Sequence, residues 1–582
     1  MKSVLFSATS FLAVSMWLSF SASAQVLSTG SIVGSITDES DSGVPKAVVA
    51  AKSKETGATT TVQGADNGTY TVPALSAGFY MMTVTRDGFG SVEIAEVKVD
   101  AGKPSTVNVV MVKAGGVSQV VTVVGGGAEL IQSTGVVGAT VTGRQITDLP
   151  FTSRDALDWV LLAPGTSTPG RPRTSTINGS PKGADTIWVD GLNVQNNILR
   201  SSDGYFTFIR PRIDAIEEVI LIIAASGADS NGDGAAQIKF VTRRGTNQYH
   251  GSIYEYHRNP SLNANYYFNN QSGLPRDRVL LNQFGGRLGG PLSLPNKFNG
   301  KDRAFFFVNY EEFRLPEQVS RDRIILNNGA GNGVFTTTGG SAIDLFSEAA
   351  ATNCNPAGPA ASPFMPCAST LDPTVQGVLT AIQSATSLGA VNNLDNNRQT
   401  FRFTNSGGQT RRFATVRLDF NLNARHTLEN IWNYQSFRNK SDFVNFADPA
   451  FPGLEAGAKG QNSNRFSDSI ALRSVLSDTL INEARFGVVG GTSTFYPRTG
   501  ISSYDYMKGF SFGQILSNGT CSGGFNAAGI SCPTASISSS KGNAPVFQFT
   551  DNLTWLKGEH TISFGASYSR YGLFADTTSN IV

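Results

Sequence analysis

Residues 546–571 read VFQFTDNLTWLKGEHTISFGASYSRY. Phe547, Phe549, Leu553 and Trp555 fall on one face of an extended chain, and Gln548, Thr550 and Thr554 fall on the other. After the short turn LKGEH, Ile562, Phe564, Ala566 and Tyr568 repeat the apolar row, with Thr561, Ser563, Gly565, Ser567 and Ser569 opposite. This is a hairpin with one greasy and one polar face. Asp551 breaks the pattern by landing on the apolar row, which calls for a bulge or a place at a membrane rim.

Working outward, candidate strands lie near 236–243, 249–257, 279–289, 302–314, 411–421, 426–437, 464–476, 479–490, 544–556 and 560–571. Short turns (RGTNQ, LNARH, LSDT, LKGEH and the longer PLSLPNKFNGK) alternate with long spans at 258–278, 315–410, 438–463 and 491–543. A soluble all-β protein has no reason to keep that parity, whereas a transmembrane barrel with short turns at one end and long loops at the other does. Face composition agrees. Phe306, Val308 and Tyr310, and Ala414, Val416, Leu418 and Phe420, make apolar rows, while Arg417, Asp419, Glu483 and Arg485 lie on the polar rows. No run after the first 24 residues approaches the roughly 18 to 20 apolar residues of a spanning helix. VILIIAA at 219–225 therefore reads as a buried strand, and membrane residence requires a closed sheet.

Composition narrows the function. Among 582 residues, 46 Lys and Arg nearly balance 44 Asp and Glu, and no basic block is interleaved with aromatics, so nucleic acid is not an expected partner. Residues 1–24 form an export signal, with Lys2, an apolar stretch from Val4 to Phe20 and the small-residue site Ala22-Ser23-Ala24. Cys354 with Cys367, and Cys521 with Cys532, fall in the two longest spans, where separations of 13 and 11 residues favour two local disulfides. His250, His257, His426 and His560 are scattered, and no phosphate loop or nucleophile elbow is present. Neither a catalytic constellation, a metal site nor a cofactor is expected. DSNGDG (229–234) opens like a calcium loop, but Phe240 stands where its bidentate Glu belongs, so it reads as a Gly-rich turn.

Residues 28–113 hold about seven short alternating runs punctuated by SGVP, DNG and AGK, the pattern of a small β-sandwich. GSIVGSITDESDSGVPKAVVAAKSKETGATTTVQGADNGTYTVPALSAGFYMMTVTRDGF resembles the carboxypeptidase regulatory-like domain, with Gly64, Gly68 and Gly78 serving turns. Residues 114–127 place VSQVVTVV between AGG and GGG, a segment suited either to pairing with another protein's sheet edge or to linking domains. From 128 to 235, ITDLPFTSRDALDWVLLAPGTS, INGSPKGADTIWVDGLNV and the start of RIDAIEEVILIIAASGADSNGDGAAQIKFVTRRGTN resemble the α/β plug of TonB-dependent outer-membrane transporters. The resemblance is to the Oar-like group, which carries a regulatory-like sandwich ahead of the plug.

The expected architecture is thus mainly β: a sandwich, an α/β plug and, over 236–582, the first ten or so strands of an antiparallel transmembrane barrel. The resemblance implies an outer-membrane receptor that moves a substrate with energy from TonB, its N-terminal domain in the periplasm. QVVTVV stands in the position of the TonB box, so Val120, Val121, Thr122, Val123 and Val124 are the implied partner contacts. In TPGRPRTST, Arg171 and Arg173 are ligand-contact candidates, with solvated loop charges as the plain alternative. The rival function is a barrel serving adhesion, secretion or glycan binding without TonB. Siderophore, saccharide, peptide and exported protein all stay open as substrates. Plugged transporters close with 22 strands, and the chain ends on ADTTSNIV without the usual terminal aromatic residue, so a C-terminally shortened barrel is expected.

Overall fold

A computed structural model of the chain describes residues 29–101, 104–113, 121–123, 137–148, 153–168, 175–196, 207–224, 236–293, 295, 297–351, 370–371, 373–441, 459–477, 479–497, 531, 540–557 and 560–577. The export signal, Val120, Val124, Arg171, Arg173, the DSNGDG run and all four cysteines lie outside the described residues.

Alternation near the N-terminus builds two facing sheets. Strands β1 (Thr29–Asp38), β2 (Val48–Ser53), β3 (Thr59–Gln63), β4 (Thr69–Ser76), β5 (Gly78–Thr85), β6 (Val92–Val99), β7 (Pro104–Thr106), β8 (Val109–Met111) and β9 (Val121–Val123) divide between them. One sheet has the order β4-β1-β7, with β8 also on β1, and the other has the order β3-β2-β5-β6-β9. Ile32, Ile36, Val49, Met82, Val84 and Met111 fill the space between the sheets. The Tyr70 hydroxyl of β4 reaches across β1 at Gly34 to donate to Val107 O at 2.6 Å, tying the two flanks of that sheet together. Gly68 turns the chain at φ 85°, where a Cβ would stand 2.3 Å from Ile36 O. Gly64, expected to serve a turn in the same way, does not take positive φ, and a Cβ there would meet nothing nearer than Ala47 O at 3.4 Å.

A mixed sheet follows: β10 (Val137–Thr142), β11 (Asp185–Val189), β12 (Leu192–Asn193), β13 (Ile216–Ala224) and β14 (Ala236–Thr242), in the order β10-β13-β14-β11-β12. Only the β11–β14 pair is parallel. Every residue of β11 and β14 is buried, so both faces are covered. Of the run VILIIAA, residues 219–224 lie in β13 and Val219, Ile220, Leu221 and Ile222 are buried, as the composition implies. β14 corrects another expectation: residues 236–243 read as the first barrel strand, yet they pair with β11 and β13. RGTNQ therefore joins two sheets rather than closing a barrel hairpin.

The large sheet runs β15 (His250–Arg258), β16 (Leu281–Pro291), β17 (Ala304–Leu326), β18 (Arg398–Asn423), β19 (His426–Ser441), β20 (Lys459–Ser477), β21 (Leu480–Pro497), β22 (Val546–Lys557) and β23 (His560–Tyr571). Each pairs antiparallel with the next. Among the described residues β15 and β23 do not pair with each other, so the sheet is open between them. Alternation sorts the faces. On β20 Ser463, Arg465, Ser467 and Ser469 point inward and are buried, while Phe466, Ile470 and Leu472 point outward and are exposed. Register sets Ile562, Phe564 and Tyr568 beside Trp555, Leu553 and Phe549, on the outward row. Asp551 sits on that row without a bulge, because the Asn482 amide of the neighbouring strand donates to its carboxylate at 2.7 Å.

β17 and β18 are much longer than the alternation suggested. Their register holds without a break from Ala304↔Phe420 to Leu326↔Arg398. Much of the span expected to be loop is therefore paired strand, and its far end carries a small core of Ile325, Ile382, Ala385, Phe401 and Phe403.

The sandwich docks on the short-turn end of the large sheet. Ile481 of β21 enters its core, and Val475 and Leu556 pack against it. Polar contacts frame this seat: Arg244 pairs with Glu55 at 3.0 Å and Arg473 donates to Ser76 Oγ at 3.0 Å. Against the mixed sheet, Ala101 and Ala77 meet Ile220, Ile222 and Val241.

Beside that contact, Glu218 is 3% exposed and accepts from Ala101 N at 3.3 Å. Burial pushes its carboxyl up to about 8, with further push from Asp100 and Glu217 against the pull of Lys98. A folded pKa raised above the unfolded value of roughly 4.3 stabilises fully below that value and loses the contribution as pH climbs towards about 8. The thermal midpoint of the detergent-solubilised chain should therefore fall between pH 5 and pH 8, and Glu218→Gln should flatten that slope.

Candidate functional site

Charges on the inner row of the large sheet must find partners, because an unpaired buried charge is very costly. Two clusters meet this demand, and both tie the inner row of the large sheet to the mixed sheet packed against it.

The first centres on Glu311 of β17, which is fully buried. Arg212 Nε donates to Glu311 Oε1 at 2.7 Å, Gln283 Nε2 to the same oxygen at 2.9 Å, and the Tyr254 hydroxyl to Oε2 at 2.5 Å. Arg154 Nε reaches Oε2 at 3.4 Å and its Nη2 pairs with Asp214. Arg154 also lies over the rings of Tyr254 and Tyr256, at 4.2 and 4.5 Å from their centroids. Local structure aims these arginines. Asp155 caps the short helix Ala156–Leu162 by accepting from Leu157 N at 3.1 Å. Arg154, just before it, holds a φ of 52°, a sparsely populated conformation for a side-chain-bearing residue. Arg212 precedes β13 and is fixed by its donation to Ser153 O at 2.9 Å.

The second cluster surrounds the two-residue turn Asp190-Gly191 between β11 and β12, both at positive φ (48° and 77°), as a tight hairpin demands. Arg485 Nη1 donates to Asp190 O at 2.7 Å, while a Cβ on Gly191 would stand 3.0 Å from Arg485 Nε. Thr242 N donates to Asp190 Oδ1 at 2.9 Å, and Arg417 stands 3.8 Å away. Burial pushes the Asp190 carboxyl up to about 6 against the pull of Arg417. Arg417 is held by Asp419 at 2.9 Å and Glu429 at 3.0 Å, and Arg485 by Glu429 at 2.7 Å and Glu483 at 3.1 Å. Glu483 in turn meets Arg473 at 3.3 Å, which reaches the sandwich through Ser76. One chain of ion pairs and hydrogen bonds thus runs from the sandwich, across the wall, to the turn.

Where the three bodies meet lies a cavity of about 920 Å³, lined among others by Glu55, Asp190, Arg243, Arg287, Arg417 and Glu429. Among the described residues no group of three or more His, Cys, Asp or Glu could hold a metal ion. Residues Arg417, Asp419, Glu483, Arg485 and Gln548, read from alternation as one polar face, lie on the inner row of the large sheet, the side that meets the mixed sheet. Gln548 Oε1 accepts from Asn193 N at 3.2 Å. Arg154, Arg212 and Glu311 escaped the sequence reading; the only signal for Glu311 is a carboxylate on the same row as Phe305 and Phe307. Val121–Val123 form β9 on the edge of the sandwich, parallel to β6.

Glu311→Ala would leave Arg154 and Arg212 buried without their shared carboxylate, at a cost of about 3–5 kcal/mol. Expected are a lowered thermal midpoint and faster proteolytic cleavage near Ser153. Glu255→Ala, at an exposed position of β15, should stay within about 0.5 kcal/mol of the parent.

Comparison with known proteins follows the same division of the chain. A family model described as the outer membrane beta barrel domain matches residues 241–581, and one described as the carboxypeptidase regulatory-like domain matches residues 31–112. Among solved structures, the outer membrane transporter YddB from Escherichia coli is 9% identical with a TM-score of 0.44, over 76% of this chain and 48% of that one. A mutant of the ferric enterobactin receptor PfeA from Pseudomonas aeruginosa is 13% identical with a TM-score of 0.36, over 76% and 54%. The ferric yersiniabactin uptake receptor FyuA from Yersinia pestis is 12% identical with a TM-score of 0.32, over 76% and 60%. The chain spans about half the length of these structures. No curated protein matches it. With residues 241–581 of its 582 matched, the chain belongs to the outer membrane beta barrel domain family, and it carries a carboxypeptidase regulatory-like domain ahead of the barrel.

Proposed function

We propose that this protein is a TonB-dependent outer-membrane receptor and transporter, with the mixed sheet as its plug and the sandwich in the periplasm. The observation that carries the reading is the packing of the mixed sheet against the polar inner row of the large sheet, through the Glu311 and Asp190 clusters. A sheet fastened to the wall by ion pairs and hydrogen bonds, rather than by a continuous apolar seam alone, can be shifted and reseated without exposing a large greasy surface. The cavity at the short-turn end gives a displaced plug somewhere to move and a solute somewhere to emerge.

In this mechanism a substrate engages the long-loop end and the plug surface facing it, for which Arg171 and Arg173 remain the proposed contacts. TonB adds a strand to residues 120–124, through Val120, Val121, Thr122, Val123 and Val124. Tension then breaks the contacts around Asp190 and Glu311 in turn, and the plug yields a path. Siderophores, saccharides, peptides and proteins all fit this scheme, since the plug-wall contacts are independent of the solute.

Deletion of residues 119–124 should abolish energy-dependent uptake while leaving the protein heat-modifiable in outer-membrane fractions. Accumulation of labelled candidate nutrients in deletion and parent strains reads this directly. Unchanged accumulation in the deletion strain would favour instead a barrel that serves adhesion, secretion or glycan binding without TonB.

A further inference from the structure

β9 is the last strand of the five-stranded sandwich sheet, and it pairs in parallel with β6 in the register Val92↔Val121, Glu93↔Thr122, Ile94↔Val123. Three of the five residues assigned above to TonB contact are therefore already strand-paired, on the chain's own N-terminal domain. The mixed sheet begins at Val137, well beyond this pairing. The sandwich itself is seated on the large sheet through Ile481 and Arg473 and on the mixed sheet through Ala101.

This arrangement has a mechanical consequence. Load applied at residues 121–123 while β9 is paired passes into β6 and the body of the sandwich, and from there into the wall. It does not travel along the chain to β10. Only when β9 leaves β6 does the stretch between Val123 and Val137 come under tension and pull on the mixed sheet. The pairing is short and parallel, a ladder slightly weaker per residue than an antiparallel one, and β6 keeps its pairing with β5 when β9 departs.

We propose that the edge of β6 is a clamp that holds residues 121–123 against the sandwich, and that TonB engages the segment only after the clamp has opened. This inference rests on the transporter reading above. The regulatory-like domain thereby becomes an autoinhibitory element, and whatever loosens β9 from β6 sets how readily the transporter is energised.

A double variant, Glu93→Cys with Thr122→Cys, tests the clamp in the full-length chain in detergent. These residues are direct cross-strand partners, and neighbouring strands bring Cα atoms within disulfide range. Mild oxidation should form a 93–122 disulfide, identified by peptide mapping, in much higher yield than in a Lys98→Cys, Thr122→Cys control. The oxidised variant should bind the purified strand-pairing domain of TonB at least tenfold more weakly than the reduced variant. Reduction should restore the affinity of the Thr122→Cys single variant, with the parent chain carried through both treatments. Failure to cross-link above the control overturns the clamp, and so does efficient cross-linking with undiminished binding. If the parent chain and the reduced variant bind no TonB domain at all, the transporter reading falls and the clamp's regulatory role falls with it. A disulfide in good yield would still establish the β6–β9 pairing.

Discussion

Glu311 is the point on which the inner face of the large sheet is organised. It has no access to solvent, and its two oxygens take hydrogen bonds from an arginine, a tyrosine and a glutamine while a second arginine closes in. A carboxylate so placed is tolerable only if cations come to it, and both arginines arrive from outside the large sheet, one beside a capped short helix and one before β13. The wall is thus electrostatically incomplete without the mixed sheet, and the two buried arginines beside the mixed sheet share one wall carboxylate, with Asp214 as the further partner of Arg154. Each imposes the position of the other.

The Asp190 turn repeats the principle with a different geometry. There the wall holds a nearly self-sufficient lattice of Arg417, Asp419, Glu429, Arg485 and Glu483, and the turn offers a backbone carbonyl and one carboxylate. Small residues make the approach possible. Gly191 accommodates Arg485, and a Cβ at Gly487 would fall 2.7 Å from Leu192 Cδ1. Through Arg473 the same lattice reaches the sandwich, so the sandwich, the mixed sheet and the wall share one polar seam.

Period-two alternation and loop parity exposed the strands of the wall and both of their faces, because those signals are local. Arg417, Glu483 and Arg485 could be assigned to the polar inner row for that reason. Partnerships were not legible, since Arg154 and Glu311 are 157 residues apart and nothing in a short window links them. β14 was assigned to the wrong sheet because AQIKFVT, buried on both faces, reads alike in either setting. The outer half of the β17–β18 hairpin was passed over because LPEQVSRDRIIL mixes charge with apolar residues and lacks a clean two-sided pattern. Asp551 looked anomalous in its own strand, and its explanation, Asn482, lies in the next strand of the sheet. The glycine- and arginine-bearing stretch with Arg171 and Arg173, and the cysteine-bearing spans, fall outside the described residues.

The β17–β18 hairpin has a further consequence, set by length alone. At about 3.3 Å per residue the 23 residues of β17 reach roughly 75 Å, three times the ~25 Å apolar band of an outer-membrane wall. An unbroken ladder of that reach is a mast rather than a loop. Its far end, more than an apolar band's height from the short turns, is closed by its own small core of Ile325, Ile382, Ala385, Phe401 and Phe403, so the ladder stays ordered along its whole length.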